Sequence, residues 1–342
     1  MSRGTKIEWA TATFNWVEGC TRAAVGNEAD EGCAHCYAIN FIGRGLRPGH
    51  SELVRLLKTP DARRDGERRD WSGEVAVHEG RFAQLDRWRS PERIFVNSLG
   101  DTFHAKVPTA ALHRMLDRMA AVERHVYLLL TKRAKRARNV CFEWLSARGR
   151  TALPANIWPM VSASTERALI ERAPPLLQIP ARVRGLSLEP CLGPMPSLPS
   201  FLTGRASIGW VIFGGESGAK ARPMNAEWPG IVRDACLAAE VPFFFKQWGQ
   251  WSPKRPDDAA CPPRRRIVLS DGTAVDPNDL RAEHFEALAD GSATVMVRRR
   301  SVADAGHLLD GVEWQQLPPA WAAHVAAQAK AQTDSVATGG AR

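Results

Sequence analysis

The feature that most constrains the fold is a repeat in which a short apolar, β-branched run ends in polar residues and is followed by a helical stretch. The runs occupy residues 93–98, 125–132, 157–162, 183–189, 208–216 and 241–247, with an earlier candidate at 13–18. Nearly continuous apolar strands that alternate with helices are typical of parallel strands covered on both faces. The pattern predicts an α/β fold with a partial or complete (β/α) TIM-like barrel, which fits these runs better than an open six-stranded sheet.

Two of the intervening stretches show apolar residues at helical spacing, so each should cover the sheet with one face. In residues 109–121 that face is predicted to contain Leu112, Met115, Leu116 and Met119. In residues 227–239 it is predicted to contain Ile231, Val232 and Leu237.

Polar residues recur where the predicted strands end. In a parallel barrel these ends share one face, which is the face that carries active sites. We therefore predict a polar mouth at which residues from distant parts of the chain converge: Cys20, Asp101, Lys132, Ser162, Glu189, Glu216 and Lys246.

Three of the seven cysteines form a cluster in sequence, Cys20, Cys33 and Cys36, just after the first candidate strand. Thiolates at such spacing select zinc or an iron–sulfur cluster. A structural zinc site would need a fourth ligand, and His35 or His50 is available, although His35 lies awkwardly between two of the cysteines. The spacing leaves open a [4Fe-4S] cluster with one free iron, a zinc site, and unligated thiols. The scattered cysteines are interpreted as structural or incidental: Cys141, Cys191, Cys236 and Cys261.

The chain carries a formal charge of +9, much of it in arginine clusters. Such a surface attracts polyanions, although it can equally be a solvated basic face. The cluster that directly follows a strand end is the predicted nucleic-acid contact: Lys132, Arg133, Lys135, Arg136 and Arg138. Four tryptophans are candidates for base stacking, with core packing as the alternative: Trp158, Trp210, Trp248 and Trp251.

Composition changes near residue 250, which predicts a division of the chain into three parts. Residues 1–250 should form the barrel with its cysteine loop, and residues 251–320 an appendage with β-structure at 267–269 and 293–297. Residues 321–342 have few large apolar side chains and are predicted to be a flexible tail. No apolar signal-peptide core or membrane-spanning run is found, so a cytoplasmic protein is expected.

Several segments together resemble one known family. They include residues 5–9, 14–20, 32–38, 97–104, 130–133, 186–190, 214–218, 221–223, 244–249 and 308–311, and so extend over about residues 5 to 315. The resemblance is to the phage-associated three-cysteine-motif family of uncharacterised function, which is grouped with radical S-adenosylmethionine (SAM) proteins. It implies a TIM-like barrel, a [4Fe-4S] cluster on Cys20, Cys33 and Cys36, and SAM on the open iron. In such enzymes the reduced cluster cleaves SAM to a 5′-deoxyadenosyl radical, which abstracts hydrogen from the substrate.

The sequence departs from the common radical SAM pattern in two places. The first cysteine gap is 12 residues instead of three, and the Gly-Gly-Glu that often follows the second strand stands at residues 214–216. Asn97, Ser98 and Asp101 occupy the second-strand position, and we assign them to SAM. Tyr37 follows the last cysteine, where the resemblance implies an aromatic residue near the adenine, with loop packing as the alternative.

Lys132, Ser162, Glu189, Glu216 and Lys246 complete the predicted cofactor-binding set. The two glutamates should bind SAM or substrate through ribose hydroxyls or an ammonium group. The alternative is an internal ion pair, with Lys132, Arg222 or Lys246 as partner.

The favoured hypothesis is a radical SAM enzyme that acts on a nucleic acid in repair or modification. One alternative is a non-enzymatic nucleic-acid-binding protein with a structural iron–sulfur or zinc centre. The other is a radical SAM enzyme that acts on a peptide or small metabolite. No catalytic residue is assigned by the sequence.

Overall fold

The computed structural model describes residues 2–43, 51–58, 67–259 and 264–339. Its centre is an eight-stranded sheet in which neighbours in space are also neighbours along the chain. The strands are β1 Ser2–Arg3, β2 Ala12–Phe14, β3 Arg93–Val96, β4 Val126–Thr131, β5 Ile157–Ser162, β6 Gly185–Leu188, β7 Trp210–Gly214 and β8 Phe243–Gln247. Strand β1 is antiparallel to β2, and all later pairs are parallel. Seven parallel strands in sequential order form a partial TIM-like barrel, so the predicted fold class is confirmed.

The helices of the described chain are α1 Tyr37–Gly43, α2 Thr109–Ala121, α3 Ala134–Ala147, α4 Glu166–Gln178, α5 Leu198–Leu202, α6 Trp228–Ala238, α7 Ala282–Ala289, α8 Val302–Ala305 and α9 Pro319–Gly339. Helix α2 buries the predicted Leu112, Met115, Leu116 and Met119. Of the face predicted for α6, Val232 is buried as expected, but Ile231 and Leu237 are exposed and that part of the prediction is wrong. Trp228, Val232 and Cys236 recur every four residues and form the buried stripe instead.

The first predicted strand is divided in two. Only Ala12–Phe14 joins the barrel, while Val17–Glu18 pairs with Ala76–Val77. The chain turns between them because the side-chain amide oxygen of Asn97 accepts hydrogen bonds from the backbone N–H groups of Trp16 and Val17, at 3.0 and 3.2 Å.

The concave face of the sheet has two zones, which we call the floor and the mouth. The floor lies toward the strand beginnings and consists of aromatic and aliphatic side chains: Trp9, Phe95, Val126, Leu128, Trp158, Met160, Trp210, Ile212 and Phe244. Leu317 and Trp321 at the start of α9 pack against it. The mouth lies at the strand ends. Because side chains on one face recur every second residue, Phe244 in the floor is followed by Lys246 in the mouth.

The part after residue 250 contains a four-stranded antiparallel sheet, as the sequence predicts for 267–269 and 293–297. Its strands are β9 Trp251–Pro253, β10 Arg265–Leu269, β11 Ala274–Val275 and β12 Ala293–Arg298. The indole N–H of Trp228 in α6 donates to the carbonyl of Ser270, at 3.1 Å, and so ties this sheet to the barrel side. The division into domains at 250 and 320 stays a prediction.

Three further two-stranded ribbons and several short 3₁₀ turns complete the described chain. The ribbons pair Ala24–Val25 with Glu28–Ala29, Val54–Lys58 with Glu67–Trp71, and Leu308–Leu309 with Val312–Glu313. The 3₁₀ turns are Glu31–Cys33, Ser51–Leu53, Glu79–Arg87, Pro256–Ala259 and Pro277–Asp279.

Helix α9 covers most of the tail that the sequence predicts to be flexible, and that flexibility stays a prediction. Across the described ranges, none of the helices has the length and apolar character needed to cross a membrane.

Candidate functional site

A cavity of about 520 Å³ opens at the mouth of the partial barrel. The structure brings all seven residues predicted to converge into its lining: Cys20, Asp101, Lys132, Ser162, Glu189, Glu216 and Lys246. Tyr37, Asn97 and Ser98, the remaining members of the predicted cofactor set, line the same cavity. Sequential parallel strands place their carboxyl ends side by side, which is why residues more than two hundred positions apart meet here.

The three clustered cysteines are free thiols held next to this cavity. Cys20 and Cys33 line it, and Cys36 comes directly before α1. Burial raises the pKa of Cys20 to about 12, while nearby Arg133 opposes the shift and the other two thiols add to it. Burial also raises the pKa of Cys36, although hydrogen bonds from the backbone N–H groups of Ala38 and Ile39 act to lower it. Neighbouring thiols are thus among the groups that raise the pKa of Cys20 and of Cys36.

Two cations from the end of β4 lie against the thiols. Arg133 Nη1 is 3.6 Å from Cys20 Sγ, and Lys132 Nζ is 3.6 Å from Cys33 Sγ. A positive charge beside a thiol favours the thiolate, which is the form that binds metals. Three thiols with two cationic neighbours are a donor set that fits a metal–sulfur cluster.

Asp30 anchors the cysteine loop to the barrel on one side. Its carboxylate accepts the backbone N–H of Gly32 at 2.6 Å, contacts Lys132 Nζ at 3.2 Å, and forms an ion pair with the buried Arg172 of α4. Burial alone would raise the pKa of Asp30, but Lys132 and Arg172 outweigh it and lower the pKa below its ordinary value. The cysteine loop packs closely against the barrel here, because a Cβ on Gly32 would lie 2.0 Å from Ser164 Oγ.

Glu216 anchors the same loop on the other side. It accepts hydrogen bonds from His35 Nδ1 at 3.1 Å, Arg222 Nε at 2.9 Å and Arg222 Nη2 at 2.6 Å, and Arg222 also donates to the carbonyl of Glu31. Burial would raise the pKa of Glu216, but these donors lower it overall. His35 is thus turned toward a carboxylate, and the ion pair considered for Glu216 is present.

Glu189 and Lys246 form a second ion pair, where the mouth meets the floor. Lys246 Nζ is 2.8 Å from Glu189 Oε1, and the indole N–H of Trp9 donates to Glu189 Oε2 at 3.3 Å. Burial would lower the pKa of Lys246, but Glu189 raises it above its usual value. Both predicted glutamates therefore have internal partners, and their contacts with SAM stay a prediction.

The residues after β3 are engaged in a hydrogen-bond network of the mouth. The carboxylate of Asp101 accepts from Thr131 Oγ1 at 2.7 Å and Arg133 Nη1 at 2.8 Å. Asn97 is buried, and its amide holds the chain at the end of β2. The hydroxyl of Tyr37 donates to the carbonyl of Ser98 at 2.5 Å. The role of these residues toward SAM stays a prediction.

The sequence analysis did not identify the ion pair between Asp30 and Arg172, which holds the cysteine loop against α4. It named Arg222 only as a possible ion-pair partner of the two glutamates. It also left Gln247 out of the site. Gln247 is 6% exposed and lines the cavity, and its Nε2 donates to the carbonyl of Gly215 at 3.1 Å. Its Oε1 is buried and has no hydrogen-bond partner within the ranges that the structure covers. The only sequence feature that indicates a role for Gln247 is its position at the polar end of the predicted strand 241–247.

The predicted basic rim is largely turned inward. Lys132 and Arg133 contact the cysteine loop, Arg136 donates to the carbonyl of Val107, and Arg138 donates to Gln178 and Asn139. Of the five residues only Lys135 is exposed. Helix α3 begins at Ala134 and packs on the sheet, so most of these side chains are used within the fold.

The tryptophans proposed for base stacking are all buried: Trp158, Trp210, Trp248 and Trp251. They belong to the core, and the stacking hypothesis for them is wrong. Of the other residues named above, His50 and Cys261 lie outside the described residues.

In the described part of the chain, no three His, Cys, Asp or Glu side chains are close enough to hold a single metal ion. This finding concerns a single ion, whereas a four-iron cluster binds each of its thiolates at a different iron.

Two solved structures similar to this chain are forms of spore photoproduct lyase. One is the lyase complexed with dinucleoside spore photoproduct, at 12% identity and a TM-score of 0.39, covering 80% of this chain and 70% of that one. The other is a double mutant with bound AdoMet and dinucleoside spore photoproduct, at 12% identity and a TM-score of 0.40, covering 81% and 71%. No curated protein matches the chain. The family described as "Protein of unknown function (DUF5131)" matches residues 4–318, and the chain therefore belongs to the DUF5131 family.

Proposed function

We propose that the protein is a radical SAM-type iron–sulfur enzyme that acts on a nucleic acid, in repair or modification. The observation that carries the proposal is the meeting of three free thiols and two cations at the mouth of a partial parallel barrel, beside a cavity of about 520 Å³. A protein that used the metal centre only as a structural staple would have no need of such a cavity.

Cys20, Cys33 and Cys36 would hold a [4Fe-4S] cluster and leave one iron for SAM. When bound, the two groups supply the electron transfer and carbon–sulfur cleavage that start hydrogen abstraction from a substrate. Arg133 and Lys132 lie 3.6 Å from two of the sulfurs and would offset the negative charge of the cluster.

The other polar residues of the mouth would bind and orient SAM and the substrate. Gln247 Oε1, buried and without a partner in the described chain, would accept a hydrogen bond from an N–H group of the ligand. Tyr37, Asn97, Ser98, Asp101, Ser162, Glu189, Glu216 and Lys246 remain the proposed lining of this pocket. The aromatic floor would exclude water from one side of it, which protects a reactive intermediate.

Anaerobic purification followed by iron and sulfide analysis tests the proposal. Replacing Cys20, Cys33 or Cys36 with Ala should abolish iron incorporation and the broad visible absorption of the cluster. Cys141→Ala and Cys236→Ala are matched controls, because both thiols are buried away from the mouth, and they should retain iron. Equal iron loading in Cys33→Ala and the wild type would reject the assignment.

A further inference from the structure

Helix α1 directly follows the cysteine loop and has an unusual surface. It buries Ala38, Ile39 and Ile42 against a small core beneath it. Its opposite face consists of Tyr37, Asn40 and Phe41, which are three and four residues apart and therefore adjacent. Tyr37 is 54% exposed and Phe41 is 41% exposed, so two aromatic rings and one amide stand on the surface.

This face is held in place and continues the rim of the cavity. The Tyr37 hydroxyl donates to the carbonyl of Ser98 at 2.5 Å, which fixes the ring while leaving much of it exposed. Tyr37 also lines the cavity. A ligand that lies across α1 would therefore reach the cavity without leaving the protein surface.

A positive charge lies at one end of this face. Helix α1 has no charged residue of its own, but the exposed Arg69 lies against its end, where a Cβ on Gly43 would be 2.5 Å from Arg69 Cδ. The whole chain carries a net charge of +9. Exposed aromatic rings beside arginine on a basic protein are the combination that binds single strands, by stacking on bases and by attracting phosphates.

We propose that Tyr37, Asn40 and Phe41 form a stacking platform for unpaired nucleotides of a single-stranded nucleic acid. The rings stack on exposed base faces, the Asn40 amide bonds a base edge, and Arg69 contacts the backbone. Paired bases hide their faces in the duplex, and the cavity of about 520 Å³ admits a nucleotide and not a duplex. This inference rests on the proposed function for its substrate class, and it replaces the interface predicted around Lys132–Arg138.

Fluorescence anisotropy of labelled oligonucleotides with the full-length protein at fixed salt tests the platform. The central variant is Phe41→Ala, and Phe41→Trp restores a larger aromatic ring at the same position. Phe142→Ala is the matched control, because Phe142 of α3 is also an exposed aromatic residue, at 45%, and lies outside the platform. The ligands are a single strand, its duplex, a strand of the same length with abasic sites, and the RNA version of the strand.

We expect Phe41→Ala to weaken single-strand binding at least about fivefold, which is the lower end of the effect of losing one stacked base. Phe41→Trp and Phe142→Ala should bind like the wild type. The abasic strand should bind weakly and should not respond to Phe41→Ala. The ratio of DNA to RNA affinity identifies the natural strand.

Equal loss in Phe41→Ala and Phe142→Ala, equal binding of intact and abasic strands, or preference for the duplex would each overturn the platform. Because the assay reads neither iron nor SAM, its failure is distinct from a failure of the proposed chemistry. A wild-type melting temperature in Phe41→Ala makes a loss of binding attributable to the missing ring.

Discussion

The floor and the mouth of the partial barrel are built by the same strands, and they differ in almost every physical respect. In the floor, Trp210 meets Trp9, Trp158 and Phe244 edge to face, with ring centroids 6.3 to 6.4 Å apart. Toward the strand ends the same face becomes polar, as where Lys246 follows Phe244 and forms an ion pair with Glu189. A strand with a period of two can thus supply packing at one end and chemistry at the other.

The comparison also separates stability from function. The aromatic floor is buried, and the indole N–H groups of Trp158 and Trp210 donate to the backbone carbonyls of Ala155 and Gln316, at 2.9 and 3.0 Å. Such burial contributes directly to folding. Partly buried ion pairs stabilise little on balance, so those of the mouth are better explained by holding the cysteine loop and lining the cavity.

The largest effect on stability is expected from removing the centre of the floor. Trp210→Ala should lower the free energy of unfolding by about 3–5 kcal/mol, because it leaves a large cavity among rings that cannot close over it. Ser162→Ala in the mouth should cost less than about 1 kcal/mol. Urea unfolding of both variants measures the difference. Similar losses in the two variants would contradict the division between floor and mouth.

The second prediction concerns acid and the end of the barrel at which the strands begin. His125 is buried just before β4, and burial lowers its pKa from 6.5 to about 4. The folded protein binds fewer protons there than the unfolded chain, so this stability is complete above pH 6.5 and is lost as the pH falls toward about 4. The loss should reach about 2–3 kcal/mol.

His125→Gln keeps a donor for the carbonyl of Leu85 but cannot titrate. The free energy of unfolding should therefore decrease less between pH 7 and pH 4.5 in this variant than in the wild type. Glu216 in the mouth has a lowered pKa, and its contribution is lost only below its ordinary value of 4.5. If the variant and the wild type lose the same free energy of unfolding on acidification, a group other than His125 is responsible for the loss.

The third prediction concerns Glu216, where the main effect should be on the cysteine loop and the effect on stability should be smaller than those at Trp210 and His125. Glu216→Gln keeps the shape but removes the charge that holds Arg222 and His35, and should cost about 1–2 kcal/mol. It should also speed the release of iron to a chelator, because the cysteine loop loses its anchor at Glu216. Glu171→Gln is the control, because the Glu171 carboxylate accepts a hydrogen bond from the backbone N–H of Gly26 in the same loop, at an exposed position. If the melting temperature falls while iron retention and SAM affinity are unchanged, Glu216 has only a structural role.

The sequence predicts the parallel strands and the polar mouth because both follow from local patterns. Apolar runs mark the strands, and polar residues at their ends must meet once the strands are parallel and sequential. It does not predict which charges pair, since the partners Asp30 and Arg172 lie far apart in the chain and meet only through packing of α4.

The same limit explains the inward basic rim and the buried tryptophans. Composition records how many arginines and tryptophans there are but not which way they face. Arg133, between β4 and α3, and Trp210 in β7 are both directed into the structure. Nor does composition show that Tyr37 and Phe41 of α1 remain on the surface.

The most direct test of the mouth as a reactive centre is formation of 5′-deoxyadenosine from SAM. The protein is reconstituted anaerobically with iron and sulfide and reduced, and SAM is added with and without a single-stranded oligonucleotide. We expect reductant-dependent 5′-deoxyadenosine from the wild type, more of it with the oligonucleotide, and none from Cys33→Ala. A wild-type protein that holds a complete cluster and leaves SAM intact under all these conditions would contradict the account.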